Sequence, residues 1–236
     1  MREVNMDRLN SSEIDSNHSL YLHYTFYHRD LFSAIDKYAN GRLLDIGCGN
    51  KPYLKIIEKK VVEYIGCDVI QSSDNKVDII SNATNIPVTS ESFDTILSTQ
   101  TIEHIEDPQG LIYEAMRILR PNSFLILSAP MYWPLHEEPY DFFRFTKHGL
   151  THLLNTAGFE IVSIHSNGGK FAVAGQALIH AIFPTVYNIK GLKGKIIRTI
   201  FTLFGGIKTI NRLFAYVDEK FPDHSNTMNY VFVAKK

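Results

Sequence analysis

Cysteine is almost missing from this chain: Cys48 and Cys67 are its only two. That excludes a disulfide framework and points to a reducing, cytoplasmic setting. Net charge is missing too, at −1 over 236 residues, which removes the global electrostatic case for a nucleic-acid partner. No apolar run reaches the length of a membrane span without a charge or helix breaker. The polar first residues (Asn10, Ser11, Ser12, Glu13) lack the apolar core of a signal peptide. The 10 histidines fall at no metal-ligand spacing, so no metal is expected. One absence is local. Between Ile161 and Val217 there is no Asp or Glu, while Lys170, Lys190, Lys193, Lys195, Arg198, Lys208 and Arg212 make that stretch basic.

What is present begins with Gly41-Arg42-Leu43-Leu44-Asp45-Ile46-Gly47-Cys48-Gly49-Asn50-Lys51-Pro52. Leu43, Leu44 and Ile46 read as a buried parallel strand. Two glycines end it, and a helix is expected from Lys51 to Lys60, with Pro52 in its first turn. Strand, glycine turn and helix start make a cradle for a nucleotide-like ligand, because the backbone can come close and the helix start offers N–H groups. A dinucleotide fingerprint wants a third glycine where Pro52 stands, and the phosphate loop's Gly-Lys-Ser/Thr is absent. Asp45 would repel a pyrophosphate and suits a cation instead. A turn used only for packing is the bland alternative.

Further strands are expected at Val62–Asp68, 77–80, 92–99, 123–129, 159–164 and 228–234, with helices at 20–38, from Asp107-Pro108 onward, and from Thr146 to Ala157. Asp68 closes the second strand, where ligands bind in open α/β sheets, and can accept both hydroxyls of a ribose. Asn122 follows Pro121 and tolerates a left-handed turn.

Three stretches in this order carry a family resemblance. The first is Asp45-Ile46-Gly47-Cys48-Gly49, which resembles motif I of the class I S-adenosylmethionine-dependent methyltransferases. The second is Ser81-Asn82-Ala83-Thr84-Asn85-Ile86-Pro87 with Ser92-Phe93-Asp94, similar to "Asp-Ala-x-x-Leu-Pro-Phe … Ser-Phe-Asp". The third, Ile102-Glu103-His104-Ile105-Glu106-Asp107-Pro108, looks like "Leu-Glu-His-hydrophobic-x-Asp-Pro". The resemblance covers roughly residues 20–166 and the last strand. It implies a Rossmann-like, doubly wound α/β sheet of seven strands, mostly parallel with the last antiparallel. It implies S-adenosyl-L-methionine as cofactor, with S-adenosyl-L-homocysteine as product. Asp45, Gly47, Cys48, Gly49, Asp68, Val69, Asn82, Ala83, Thr99 and Gln100 would bind it. Asn82 stands where the family usually has Asp; its amide carbonyl would meet the adenine amino group and the Ala83 N–H a ring nitrogen.

Methyl transfer to a hydroxyl needs a base as well as alignment. His104 is one candidate. The loop 131–145 supplies others among its many rings: His136 or Asp141 as base, Arg144 as a grip on a phosphate or carboxylate, and Trp133 and Tyr140 as substrate walls. Its Glu138-Pro139-Tyr140-Asp141-x-x-Arg144-Phe145-Thr146 is similar to a segment of methyltransferases associated with bacterial cell-surface polysaccharides. That implies a saccharide or lipid-linked saccharide acceptor. The plain alternative for Asp141 and Arg144 is an ion pair at a helix start. The motifs of amino-methylating DNA enzymes and the Pro-Cys nucleophile of cytosine C5 enzymes are absent.

A helical insert is expected at about 168–222. Ile196, Ile200, Leu203, Ile207, Ile210, Phe214 and Val217 recur at helical spacing, with Lys195, Arg198, Lys208 and Arg212 off that stripe. Gly205-Gly206 is expected to split this helix, and Pro184 to break the segment before it. A cap on the substrate pocket, a homodimer contact, or peripheral membrane contact through residues 171–217 would each account for it. The expected organisation is a flexible 1–18 followed by one methyltransferase domain, 19–236. The rival functional reading is a non-catalytic S-adenosylmethionine-binding protein that uses the insert as an interaction module; a nicotinamide oxidoreductase ranks below both because of Pro52.

Overall fold

The computed structural model describes residues 14–236. It divides into two compact units. One comprises Asp30–His165 and Asn229–Lys236, the other residues 14–29 and Ser166–Met228. The expected flexible segment lies outside the described residues as far as position 13. Residues 14–18 form a turn whose Ser16 and His18 carbonyls accept from the buried Asn211 side-chain amide at 3.0 and 2.9 Å.

The first unit is built on seven strands: β1 (Arg42–Ile46), β2 (Glu63–Asp68), β3 (Ile79–Ile80), β4 (Phe93–Thr99), β5 (Leu119–Pro130), β6 (Glu160–Asn167) and β7 (Asn229–Lys235). Their order is β3-β2-β1-β4-β5-β7-β6. Parallel pairing joins β1 to β2 and β4, and β4 to β5, while β7 runs antiparallel to β5. The central strands carry apolar runs, Leu43-Leu44 in β1, Ile96-Leu97 in β4 and Leu125-Ile126-Leu127 in β5, as burial on both faces requires. Leu44, Ile96, Leu125 and Phe232 pack with Leu111, Ile112 and Ala115 of α3 (Pro108–Ile118) and with Leu150 and Leu154 of α4 (Lys147–Thr156) in one core.

Local signals fixed most element ends. Asp107 caps α3 by accepting from the Gly110 N–H at 2.9 Å, with Pro108 at the first helical position. Thr146 caps α4 through the Gly149 N–H at 3.1 Å. Asn122 adopts φ 63°. Three expectations need correction. The helix after the glycine turn is only α2, Leu54–Ile57, because Pro52 disfavours a helical residue before it and Lys51 sits at φ 52°. It therefore offers no helix-start cradle. The third strand shrinks to two residues. The segment before the basic stretch is not broken at Pro184, since α5 (Lys170–Asn188) runs through it.

The second unit contains α5, α6 (Gly191–Leu203) and α7 (Gly206–Lys220), with the split at Gly205, φ +81°, as expected. α5 and α7 pack closely. A Cβ at Gly175 would lie 2.6 Å from the Phe214 side chain, so only glycine permits that approach. Asp218 of α7 accepts from the N–H groups of Gly169, Phe171 and Ala172 at 2.7, 3.1 and 3.0 Å, capping α5 from another element.

Candidate active site

The carboxyl ends of β1, β2 and β4 bring the expected ligand residues together. Gly47 stands at φ +81°, and a Cβ there would lie 2.1 Å from Thr101 Oγ1, so the turn is closed to any side chain. The Gly47 and Cys48 N–H groups donate to the Cys67 carbonyl at 2.8 and 3.1 Å, fastening the turn to β2. Burial pushes both thiols up, Cys67 to about 12 and Cys48 beyond, so neither is a nucleophile at neutral pH.

Asp45 is buried, and its Oδ2 accepts from the Tyr64 hydroxyl at 2.5 Å. Its Oδ1 is buried with no hydrogen-bond partner. Burial lifts the carboxyl to about 7, against the opposing Tyr64 hydrogen bond. An orphaned acid of this kind fits a cationic ligand such as an ammonium, which would both satisfy the atom and restore the charge. Asp68 is held by the Gly49 and Val69 N–H groups at 3.1 and 2.8 Å. Its carboxylate closes β2, at the strand end where open α/β sheets bind ligands, and a carboxylate there can accept from a ribose diol. These observations fit S-adenosylmethionine.

Other expected cofactor residues sit differently. Asn82 directs its carbonyl to the Thr84 N–H and hydroxyl, both at 3.1 Å, so its acceptor serves the turn. Ala83 beside it is buried. Thr99 ends β4, and Gln100, at φ 49°, is tied to Ser128 Oγ at 3.1 Å through both its backbone and side-chain N–H groups. Lys51 is absent from the expected set and belongs to the scaffold. It reaches Asp78 at 2.5 Å, and Asp78 in turn accepts from the Gly66 N–H at 2.7 Å.

The acceptor-side residues converge more tightly than the sequence spacing suggests. The Glu103 carbonyl accepts from the Phe142 and Phe143 N–H groups at 2.9 and 3.3 Å, anchoring the loop 131–145. His104 Nδ1–H donates to the Tyr140 carbonyl at 2.7 Å. His136 lies against it, ring centroids 4.7 Å apart. His136 Nδ1 faces two acceptors, Asp141 Oδ2 at 3.2 Å and the Pro134 carbonyl at 3.3 Å. The proton therefore sits on Nδ1 of both rings and the lone pair on Nε2. Burial holds His104 below the ordinary histidine value. Burial works against ionisation of Asp141, but Arg144 and the His136 N–H outweigh it and hold the carboxyl at about 2.

Arg144 is not a substrate grip. Its guanidinium binds Asp141 in a fork, at 2.6 and 2.8 Å, and its remaining N–H groups donate to the carbonyls of Trp133, Phe143 and Pro134. Every donor is spent inside the loop. Trp133 is half-buried, and Tyr140, Phe142 and Phe143 are each a little over a third exposed.

Glu103 lies outside the expected site residues, although it stands in the Glu-His pair from which His104 was read. Its carboxyl is buried, neither oxygen has a hydrogen-bond partner, and burial lifts it to about 8. Ligand atoms of Glu103, His104 and His136 lie within 4.8 Å of one another. Linear spacing concealed that trio, because the loop returns His136 to His104.

The strand order, the glycine turn and the two strand-end acids are those of a class I S-adenosylmethionine-dependent methyltransferase domain. A family profile described as a methyltransferase domain matches residues 21–164, more than half of the chain, and the chain belongs to that family. It is 28% identical over 169 residues to a Mycolicibacterium smegmatis protein named as a probable S-adenosylmethionine-dependent methyltransferase, covering 65% of each chain. It is 29% identical over 104 residues to the 27-O-demethylrifamycin SV methyltransferase of Amycolatopsis mediterranei, covering 38% of each. A ubiquinone biosynthesis O-methyltransferase of Cereibacter sphaeroides is 28% identical over 115 residues, which are 44% of this chain and 46% of that one. The chain thus spans less than two thirds of these relatives' lengths. Among solved structures, a methyltransferase of Archaeoglobus fulgidus gives a TM-score of 0.56 at 16% identity, covering 91% of this chain and 94% of that one. The [4+2]-cyclase SpnF gives 0.60 at 18%, covering 98% and 87%. Likeness at that level is likeness of fold, and a fold hosts more than one chemistry.

Proposed function

We propose that this protein methylates a hydroxyl of a saccharide or lipid-linked saccharide. When bound, S-adenosylmethionine supplies a methyl on a sulfonium, transferred in line to the acceptor oxygen as the sulfur departs a neutral thioether. Asp45 and Asp68 hold the two ends of that donor. His136 Nε2 takes the hydroxyl proton, and Asp141, kept ionised by Arg144, orients the ring and stabilises the imidazolium. The observation that carries this reading is the Arg144–Asp141–His136 relay, which leaves the His136 lone pair on the nitrogen remote from its carboxylate. Oxygen as the acceptor is supported by the names of two relatives. A sugar is supported by the part-exposed rings of Tyr140, Phe142 and Phe143, since sugar C–H faces stack on aromatic rings, and by the resemblance of residues 138–146.

A methyl-release assay on candidate glycans tests the reading. His136→Ala should lower kcat by about 10²-fold or more while cofactor binding persists; an unchanged rate removes His136 from the mechanism. Binding without transfer to any acceptor would favour the non-catalytic alternative. The Glu103–His104–His136 trio supports a second reading, in which a divalent cation there activates the hydroxyl by coordination. Activity surviving dialysis against a chelator leaves the base reading; loss restored by added metal selects the cation.

A further inference from the structure

The apolar stripe that runs from Ile196 to Val217 has two fates. Its second half, in α7, is half-buried, with Phe214 seated on Gly175 of α5. Its first half, in α6, stays in water: Leu192 is 74% exposed, Ile196 51%, Ile200 50% and Leu203 79%, with Phe204 just beyond at 80%. At about 100° per residue, Leu192, Leu203, Ile196 and Ile200 fall within about 80° of one another. About three turns of exposed branched side chains on one line exceed the scattered apolar residues of an ordinary surface.

Charge identifies the occupant. Lys193, Lys195 and Arg198 lie on the same helix and Lys190 precedes it, with no carboxylate from Ile161 to Val217 to offset them. A second copy of this chain would set the same cations against each other. A surface with a dense anionic layer above an apolar one matches both halves of α6. No helix among the described residues is long and apolar enough to cross a membrane, so the fit is to its surface.

We propose that α6 lies on an anionic lipid bilayer, with Leu192, Ile196, Ile200 and Leu203 in the headgroup–acyl boundary and Lys193 and Lys195 on lipid phosphates; Arg198 faces away and donates to the Ile189 carbonyl at 2.9 Å. Lys193 falls near the edge of the apolar arc, where its long stem can reach back to the headgroups. This surface is independent of the methyl-transfer reading and stands or falls by itself.

Co-sedimentation of the full chain with vesicles of phosphatidylcholine, with and without phosphatidylglycerol, tests it. The protein should sediment with the anionic vesicles and stay in the supernatant with the neutral ones. Leu203→Asp and Ile200→Asp should each weaken partitioning on the order of tenfold, and the double variant Lys193→Glu, Lys195→Glu by at least about tenfold. Far-UV circular dichroism checks the fold of each variant. Should any fail to fold, hydrogen exchange on the wild-type chain serves instead, with protection expected over 191–204 only with anionic vesicles. Wild-type protein that ignores anionic vesicles at low salt overturns the proposal. So do variants that bind as the wild type does, or light scattering that finds a dimer dispersed by Leu203→Asp.

Discussion

Asp45 joins burial, an unfilled hydrogen-bonding atom and a carboxyl lifted to about 7. A cationic ligand needs that carboxyl ionised, so binding below pH 7 must first release its proton. Affinity for S-adenosylmethionine should therefore fall about tenfold per unit as pH drops below 7, and level off above it. Titration calorimetry in two buffers of different ionisation enthalpy should register proton release on the acid side. Asp45→Asn should bind more weakly and lose the pH slope; an equal slope in the variant would move the titration to another group. Arg144 carries a different lesson. Its sequence context fits a substrate clamp and an internal staple equally well, because the residue type is right for both. Only the positions of Asp141 and the three carbonyls decide, and they assign it to the loop.

At the scale of elements, what was readable from sequence was what is encoded locally. Caps at Asp107 and Thr146, the left-handed Asn122 and the split at Gly205 each depend on one residue and its near neighbours. The helix after the glycine turn is shorter than the expected Lys51–Lys60, because Pro52 disfavours a helical Lys51 and the pattern alone does not carry that steric effect. Asp218 was invisible for the opposite reason: its partners, the first N–H groups of α5, lie some 46 to 49 positions away. It is also the first carboxylate after the basic stretch, which gives that charge asymmetry a structural boundary. Asp218→Ala should leave three N–H groups without an acceptor and destabilise the helical unit by about 2–3 kcal/mol. Urea denaturation followed by circular dichroism checks this. A loss below about 0.5 kcal/mol would mean that solvent takes over the cap.

Over the whole molecule, the family profile ends at residue 164, and α5, α6 and α7 all lie beyond it. The profile covers the strands and turns suited to the donor. The helices outside it carry the exposed apolar stripe and the excess of cations. Sequence motifs could reveal the first because donor chemistry fixes residue types at fixed offsets. They could not reveal the pairing of His104 with His136, which meet only through the fold of the loop between β5 and α4. Methyl transfer depends first on the donor site. A crystal structure of the chain with S-adenosylhomocysteine tests it most directly. The expected result is the ribose hydroxyls within hydrogen-bond distance of the Asp68 carboxylate and the amino-acid ammonium within reach of Asp45 Oδ1. A ligand seated elsewhere, or no ligand at saturating concentration, would contradict it.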